Sequence, residues 1–168
     1  MYTRVVLSTV LTIALASAAS IGADRSGFDG KWVLDKKANN TATTPPPDGL
    51  QQRIKVKGND VSIDSQFGEP STGVAPLLYL GIMVTTLHLN GDGSEAVNQI
   101  GPFMQTTKTT VDGNKMDTDW VARHSSGEVV NGHWTRTLGA DGKHMTMEIK
   151  ESSTQGQSGN ATLNFVRK

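Results

Sequence analysis

The feature that most restricts this chain is a two-residue alternation of apolar and polar side chains running from Phe103 to Glu151, broken by short stretches rich in Gly, Ser and Asp. Period 2 is the period of an extended strand, whose successive side chains leave opposite faces, and Gly-containing breaks between such runs are hairpin turns. Three turns can be read: Asp112-Gly113, Ser125-Ser126-Gly127 and Gly139-Ala140-Asp141-Gly142. A two-residue turn at the first pairs Val111 with Asn114, and sets Phe103 opposite Ala122, Gln105 opposite Trp120 and Thr107 opposite Thr118. A three-residue loop at the second pairs His124 with Glu128, Trp120 with Gly132, Thr118 with Trp134 and Met116 with Arg136. A four-residue loop at the third pairs Leu138 with Lys143, Arg136 with Met145, Trp134 with Met147 and Gly132 with Ile149. All three turns put the same side chains on one inward face, and a slip of one residue at any of them would invert it.

That face is mixed in character. Phe103, Trp120, Trp134, Met145, Met147 and Ile149 are apolar, but Gln105, Thr107, Thr109, Thr118 and Arg136 stand among them, more polar groups than a dry, close-packed core carries. The reading is a water-accessible interior that takes a small, partly apolar ligand. Arg136 is its polar anchor, Trp120, Trp134, Met116, Met145 and Met147 are its walls, and Gln105, Thr107 and Thr118 add polar lining. Arg136 falls between Met116 and Met145, and no Asp or Glu shares its row, so an acidic or carbonyl-bearing ligand, or ordered water, must satisfy it. The alternative is a filled scaffold, a non-catalytic interaction protein whose buried polar groups are met by a few waters.

The chain begins with Arg4, an apolar run from Val5 to Ala16 and the small residues Ala16, Ser17, Ala18 and Ala19, the pattern of a secretory signal peptide ending near Ala23. Residues 24–168 then form one domain, exported to the periplasm or secreted, with no membrane anchor, since no other apolar run approaches the roughly 18 residues of a spanning helix. With no Cys in the chain, burial alone holds this fold together.

Residues 36–49, with Asn39-Asn40-Thr41 and Pro45-Pro46-Pro47, read as an extended connector and not as a helical lid. Leu50 to Lys57 and Val61 to Phe67 alternate around Gly58-Asn59-Asp60, a hairpin. Val74 to Leu80 is apolar without a clean period and contains Pro76, which argues against a central strand; it reads as an insertion over one barrel end and, in the scaffold alternative, as the partner-binding surface. Strands are expected at Gly27–Asp35, Leu50–Lys57, Val61–Phe67, Ile82–Leu89, Ser94–Ile100, Phe103–Val111, Lys115–Arg123, Glu128–Leu138, Lys143–Glu151 and Ala161–Lys168. The last can pair back with the first, giving an all-β, up-and-down antiparallel barrel of about ten strands.

In the first strand Phe28, Gly30, Trp32 and Leu34 share one parity, and the chain closes on Phe165-Val166-Arg167-Lys168. Together with the run of hairpins, this resembles the calycin barrels: lipocalins and fatty-acid-binding proteins, in particular secreted bacterial lipocalin-like proteins. The resemblance implies that Arg167 covers Trp32 at the closed end of the barrel. It also implies that Arg136, just ahead of the Gly139 to Gly142 turn, matches the interior Arg that holds a ligand carboxylate in fatty-acid-binding proteins. Their second Arg-x-Tyr pair is replaced here by Leu163 and Phe165.

Other classes find less support. Lys plus Arg and Asp plus Glu are 16 each, for a net charge of zero, which offers no basic footprint for nucleic acid. No phosphate loop, zinc-protease or nucleophile-elbow string occurs, so neither an enzyme nor a cofactor is expected. The expected registers align Asp119, His133 and Glu148 across three strands, but on the outer face, where such a row is a solvated charge ladder more often than a metal or acid/base site. A monomer is expected.

Overall fold

In a computed structural model of the protein, residues 25–68 and 86–168 are described. The expected signal peptide, Val74 to Leu80 and the start of the strand expected at Ile82 lie outside them. A single 3₁₀ turn, Arg25–Phe28, precedes β1 (Gly30–Leu34), the two-residue β2 (Thr41–Ala42), β3 (Gln51–Lys57), β4 (Asp60–Gln66) and β5 (Thr86–Asn90). Then come β6 (Asp92–Ile100), β7 (Phe103–Asp112), β8 (Lys115–His124), β9 (Val129–Leu138), β10 (His144–Ser153) and β11 (Ser158–Arg167). The sheet runs β5-β4-β3-β1-β11-β10-β9-β8-β7-β6, every pair antiparallel, with β2 added beside β11. Its two outer strands are neighbours in sequence, so the sheet curls into a nearly closed barrel.

The seam between β5 and β6 is held by a side chain doing the work of a strand. Asn98 accepts from the His88 amide at 2.8 Å and donates to the His88 carbonyl at 2.9 Å, while Asn90 donates to the Glu95 carbonyl at 2.8 Å. Backbone groups that an open edge would leave unpaired are thereby satisfied.

The other end of the closure is the pairing expected from the sequence. Trp32, Val33 and Leu34 lie opposite Arg167, Val166 and Phe165. The Arg167 guanidinium sits 4.6 Å from the Trp32 ring centroid and donates to the Gly27 carbonyl, and the Trp32 indole N–H donates to the Phe28 carbonyl at 2.9 Å. Gly30 has φ 144°, a backbone conformation that L-residues avoid; a Cβ there would make only ordinary contact with the Arg167 side chain, at 3.5–3.7 Å, so glycine is called for by the backbone. Phe28 and Trp32 are fully buried, so the 3₁₀ turn and Arg167 plug this end.

Two of the three expected turn registers need correction. The turn after β7 is Gly113-Asn114, pairing Asp112 with Lys115, Thr107 with Trp120 and Gln105 with Ala122. Only Gly113 has positive φ (55°), which fits a type II′ turn with Gly first; an Asp112-Gly113 turn of type I′ would force Asp112 into the left-handed region. The loop after β9 likewise starts one residue later: Leu138 pairs with Met145, Arg136 with Met147, Trp134 with Ile149 and Gly132 with Glu151. Here Asp141 builds its own turn, its carboxylate accepting from the Lys143 and His144 amides at 2.9 and 3.3 Å. The middle register, Trp120 with Gly132 and Met116 with Arg136, is as expected. Moving a turn by one residue slides both of its arms, so pairing shifts by two and the inner face is unchanged.

Candidate functional site

The alternation that makes β7 to β10 strands also delivers their odd- or even-numbered side chains to the barrel interior. All nine residues expected there are buried: Arg136, Trp120, Trp134, Met116, Met145, Met147, Gln105, Thr107 and Thr118 are each no more than 2 % exposed. They stack in successive cross-strand rows. Nearest the plugged end, Leu138, Met145, Phe165 and Leu34 face one another; next come Val111, Met116, Arg136, Met147 and Leu163; then Thr109, Thr118, Trp134, Ile149 and Ala161; then Thr107, Trp120, Gly132, Glu151 and Gly159. Arg136 therefore stands between Met116 and Met147, and not between Met116 and Met145 as a four-residue Gly139 to Gly142 loop would place it.

Trp134 is the hub. Its ring lies 5.1 Å from that of Trp120, tilted by 42°, and the Arg136 guanidinium is 5.7 Å from its centroid on the plugged side. Its indole N–H points the other way and donates to Glu151 Oε1 at 3.4 Å. Trp120 lies on Gly132, where a Cβ would come within 2.1 Å of the indole, so this close approach requires glycine.

The polar groups divide into two sets. Thr118 and Thr109 bond each other at 3.0 Å, and Thr107 donates to the Ala96 carbonyl at 3.3 Å; the sheet satisfies them. By contrast Arg136 Nε and Nη1, both amide atoms of Gln105, Trp120 Nε1, Glu151 Oε2 and Gln52 Oε1 are buried with no hydrogen-bond partner among the described residues. Desolvation lowers the Arg136 pKa to about 10, which leaves the guanidinium charged at neutral pH. Desolvation likewise raises Glu151 to about 9, against a smaller opposing effect of the Trp134 hydrogen bond, so that carboxyl is neutral.

Glu151 and Ser65 are also buried and are not among the expected interior residues, although Glu151 shares the parity of Met145, Met147 and Ile149 and Ser65 that of Val61 and Ile63; Gln52 is buried on the side of its strand that holds Leu50 and Ile54. Arg136 is 1 % exposed, so its guanidinium is closed off from bulk solvent.

The outer row needs correction too. Asp119 pairs with His133, but the shifted register brings Lys150 opposite His133 and moves Glu148 opposite Thr135. His133 Nδ1 lies 2.7 Å from Asp119 Oδ1, and its Nε2 3.1 Å from Thr135 Oγ1 and 3.7 Å from Asp117 Oδ1. Among the described residues no group of three or more His, Cys, Asp or Glu side chains is arranged to hold a metal. A surface cleft of about 710 Å³ lies beside this row, lined by Asn131, Gly132, His133, Lys150, Glu151 and Gly159 among others.

No family model matches the sequence, and a search of curated proteins finds no match. Solved structures do match. The chain is similar to apo lipid binding protein 8 of Caenorhabditis elegans, with TM-score 0.53 and 11 % identity over 88 % of this chain and 99 % of that one. It is also similar to a secretory abundant heat soluble protein of Ramazzottius varieornatus, with TM-score 0.51 and 11 % identity over 84 % and 96 %. At such identity the likeness concerns the fold, and with the plugged end, the ten-strand order and the seam it establishes a calycin-type β-barrel of the kind seen in fatty-acid-binding proteins.

Proposed function

We propose that this protein is a non-catalytic binding protein that acts outside the cytoplasm and holds a small amphipathic, acidic ligand inside the barrel with its head on Arg136. The observation that carries this reading is the Arg136 guanidinium, fully buried and charged, and, among the described residues, without an ion-pair partner and with Nε and Nη1 unmet. A buried unpaired charge is costly to keep, and an anionic head would supply its partner. Met116, Met145 and Met147 around it are flexible side chains able to repack against an apolar tail. The lipid-binding neighbour of the same fold supports the ligand class, and the leader pattern of residues 1–23 supports export. The near-zero exposure of the inner face favours a second reading, the filled scaffold.

Titration with an acidic and a neutral apolar fluorescent probe separates the two. The acidic probe should bind, perturb tryptophan emission, and be weakened by about 1.5 to 3 kcal/mol in Arg136→Leu, the scale of a charge-assisted hydrogen bond, while the neutral probe is nearly unaffected. Equal weakening of both, or no binding by either, would leave the filled scaffold.

A further inference from the structure

Glu151 is the second buried ionisable group of the interior, and nothing in the reading above employs it. Its row partners across β9 and β11 are Gly132 and Gly159, which bring no side chain toward it, and among the described residues it makes no ion pair. Arg136 cannot neutralise it directly. Glu151 is paired with Gly132, four residues along β9 from Arg136, a separation of about 13 Å along the strand with the Trp134 row between. One carboxyl oxygen, Oε1, takes the long hydrogen bond from Trp134, and the other, Oε2, is buried at 5 % residue exposure with no partner.

We propose that the interior recognises its ligand at two points, with the acidic head at Arg136 and a neutral oxygen on the apolar tail, a hydroxyl or a carbonyl, at Glu151. This rests on the binding reading given above and adds the chemical class of the tail. A carboxyl in this setting keeps its proton, because ionising it away from water and any cation is unfavourable. With Oε1 accepting from the indole, the proton belongs on Oε2, which then requires an acceptor. An ammonium would supply only donors, whereas a hydroxyl or carbonyl oxygen accepts. Gln105, with both amide atoms unpartnered, and Trp120 Nε1 lie in the same row as Glu151 or the next one toward the unplugged end, so the polar end of the tail enters a neighbourhood of unmet groups. An interior lacking such groups would reject a hydroxylated tail, since the hydroxyl would lose its water without replacement.

The experiment measures tryptophan-fluorescence titrations of decanoic acid, its ω-hydroxy derivative and decanol against wild type, Glu151→Leu, Glu151→Gln and Arg136→Leu. Wild type should prefer the hydroxy acid over decanoic acid by about tenfold, the scale of one net hydrogen bond. Glu151→Leu should abolish that preference without weakening decanoic acid. Glu151→Gln, which keeps an N–H donor in place, should retain most of it, and Arg136→Leu should weaken both acids alike. Equal binding of the two acids to wild type, or a preference that survives Glu151→Leu, overturns the second anchor and leaves the first intact. Binding of decanol and the hydroxy acid, dependent on Glu151 and indifferent to Arg136, would remove the Arg136 head site and leave the Glu151 one. If none of the three binds, both fall.

Discussion

Replacing Glu151 by Gln should make the protein more stable at neutral pH and flatten the pH dependence of its stability. In the unfolded chain this carboxyl ionises near its ordinary value of 4.5, whereas in the barrel burial holds the proton to about pH 9. Between those limits the folded state carries one proton more than the unfolded state, so stability falls as pH rises, by about 1.4 kcal/mol per pH unit. From pH 5 to pH 7 this amounts to roughly 2 to 3 kcal/mol, a large share of the stability of a domain of this size. Gln is nearly isosteric with the protonated acid and does not titrate, so the mutant escapes the penalty. Asp92, Asp117 and Asp141 are shifted the opposite way, below 3.8, and their contribution is lost only as pH falls through the acid range. They are common to both proteins and cancel in the difference. Urea unfolding of wild type and mutant at several pH values from 5 to 8 should show curves that converge at the acid end and diverge steadily toward the alkaline end, with the mutant above. Parallel curves would refute the reasoning, for they would mean that Glu151 is already ionised in the folded barrel and has a cationic partner.

Other outcomes follow from the same geometry. Trp32→Ala should cost about 3 to 5 kcal/mol as a large-to-small core change, and Arg167→Ala roughly 1 to 2 through the lost stack on the indole; a double-mutant cycle should show coupling, and additivity within a few tenths would mean that the two act independently. Gly132→Ala drives a methyl into the Trp120 indole and should cost about 1 to 3 kcal/mol, with a shifted tryptophan emission maximum; an unchanged denaturation midpoint would show that the ring does not rest on Gly132. Asp119→Asn and His133→Gln should each change stability by about 0.5 kcal/mol or less because both residues are on the solvated face, and zinc should leave the melting temperature where it was. A rise of several degrees with zinc, lost in either mutant, would turn the outer row into a metal site.

Much of the barrel could be read from local chemistry, because strand parity and turn length are local. Trp32 and Arg167 meet at the closure as the parity of the first and last strands demands, and Trp120 falls on Gly132 because the Ser125-Ser126-Gly127 loop has the expected length. The parity of the inner face survived even where two turns were placed one residue early, since a turn displaced by one residue changes pairing by two. What that error did alter is which side chains touch. The expected registers place Met145 beside Arg136 and Glu148 beside His133, whereas the folded sheet places Met147 and Lys150 there, and the outer carboxylate-His-carboxylate row is lost.

Other features were decided only in three dimensions. Whether Gly113 turns as the first or second residue of its loop depends on the twist the flanking strands impose, and whether Asp141 caps its own loop depends on a side-chain hydrogen bond that competes with the ladder. The seam at Asn98 joins strands whose edges meet only after the whole sheet has curled, so nothing near Asn98 in the sequence announces it. The pairing state of Arg136 and Glu151 is the clearest case. Their inward parity is written in the sequence, but the four-residue offset that keeps the two groups apart on either side of Trp134 comes from the β9–β10 register, and the low dielectric that leaves one charged and the other neutral comes from the packing of the closed barrel around them.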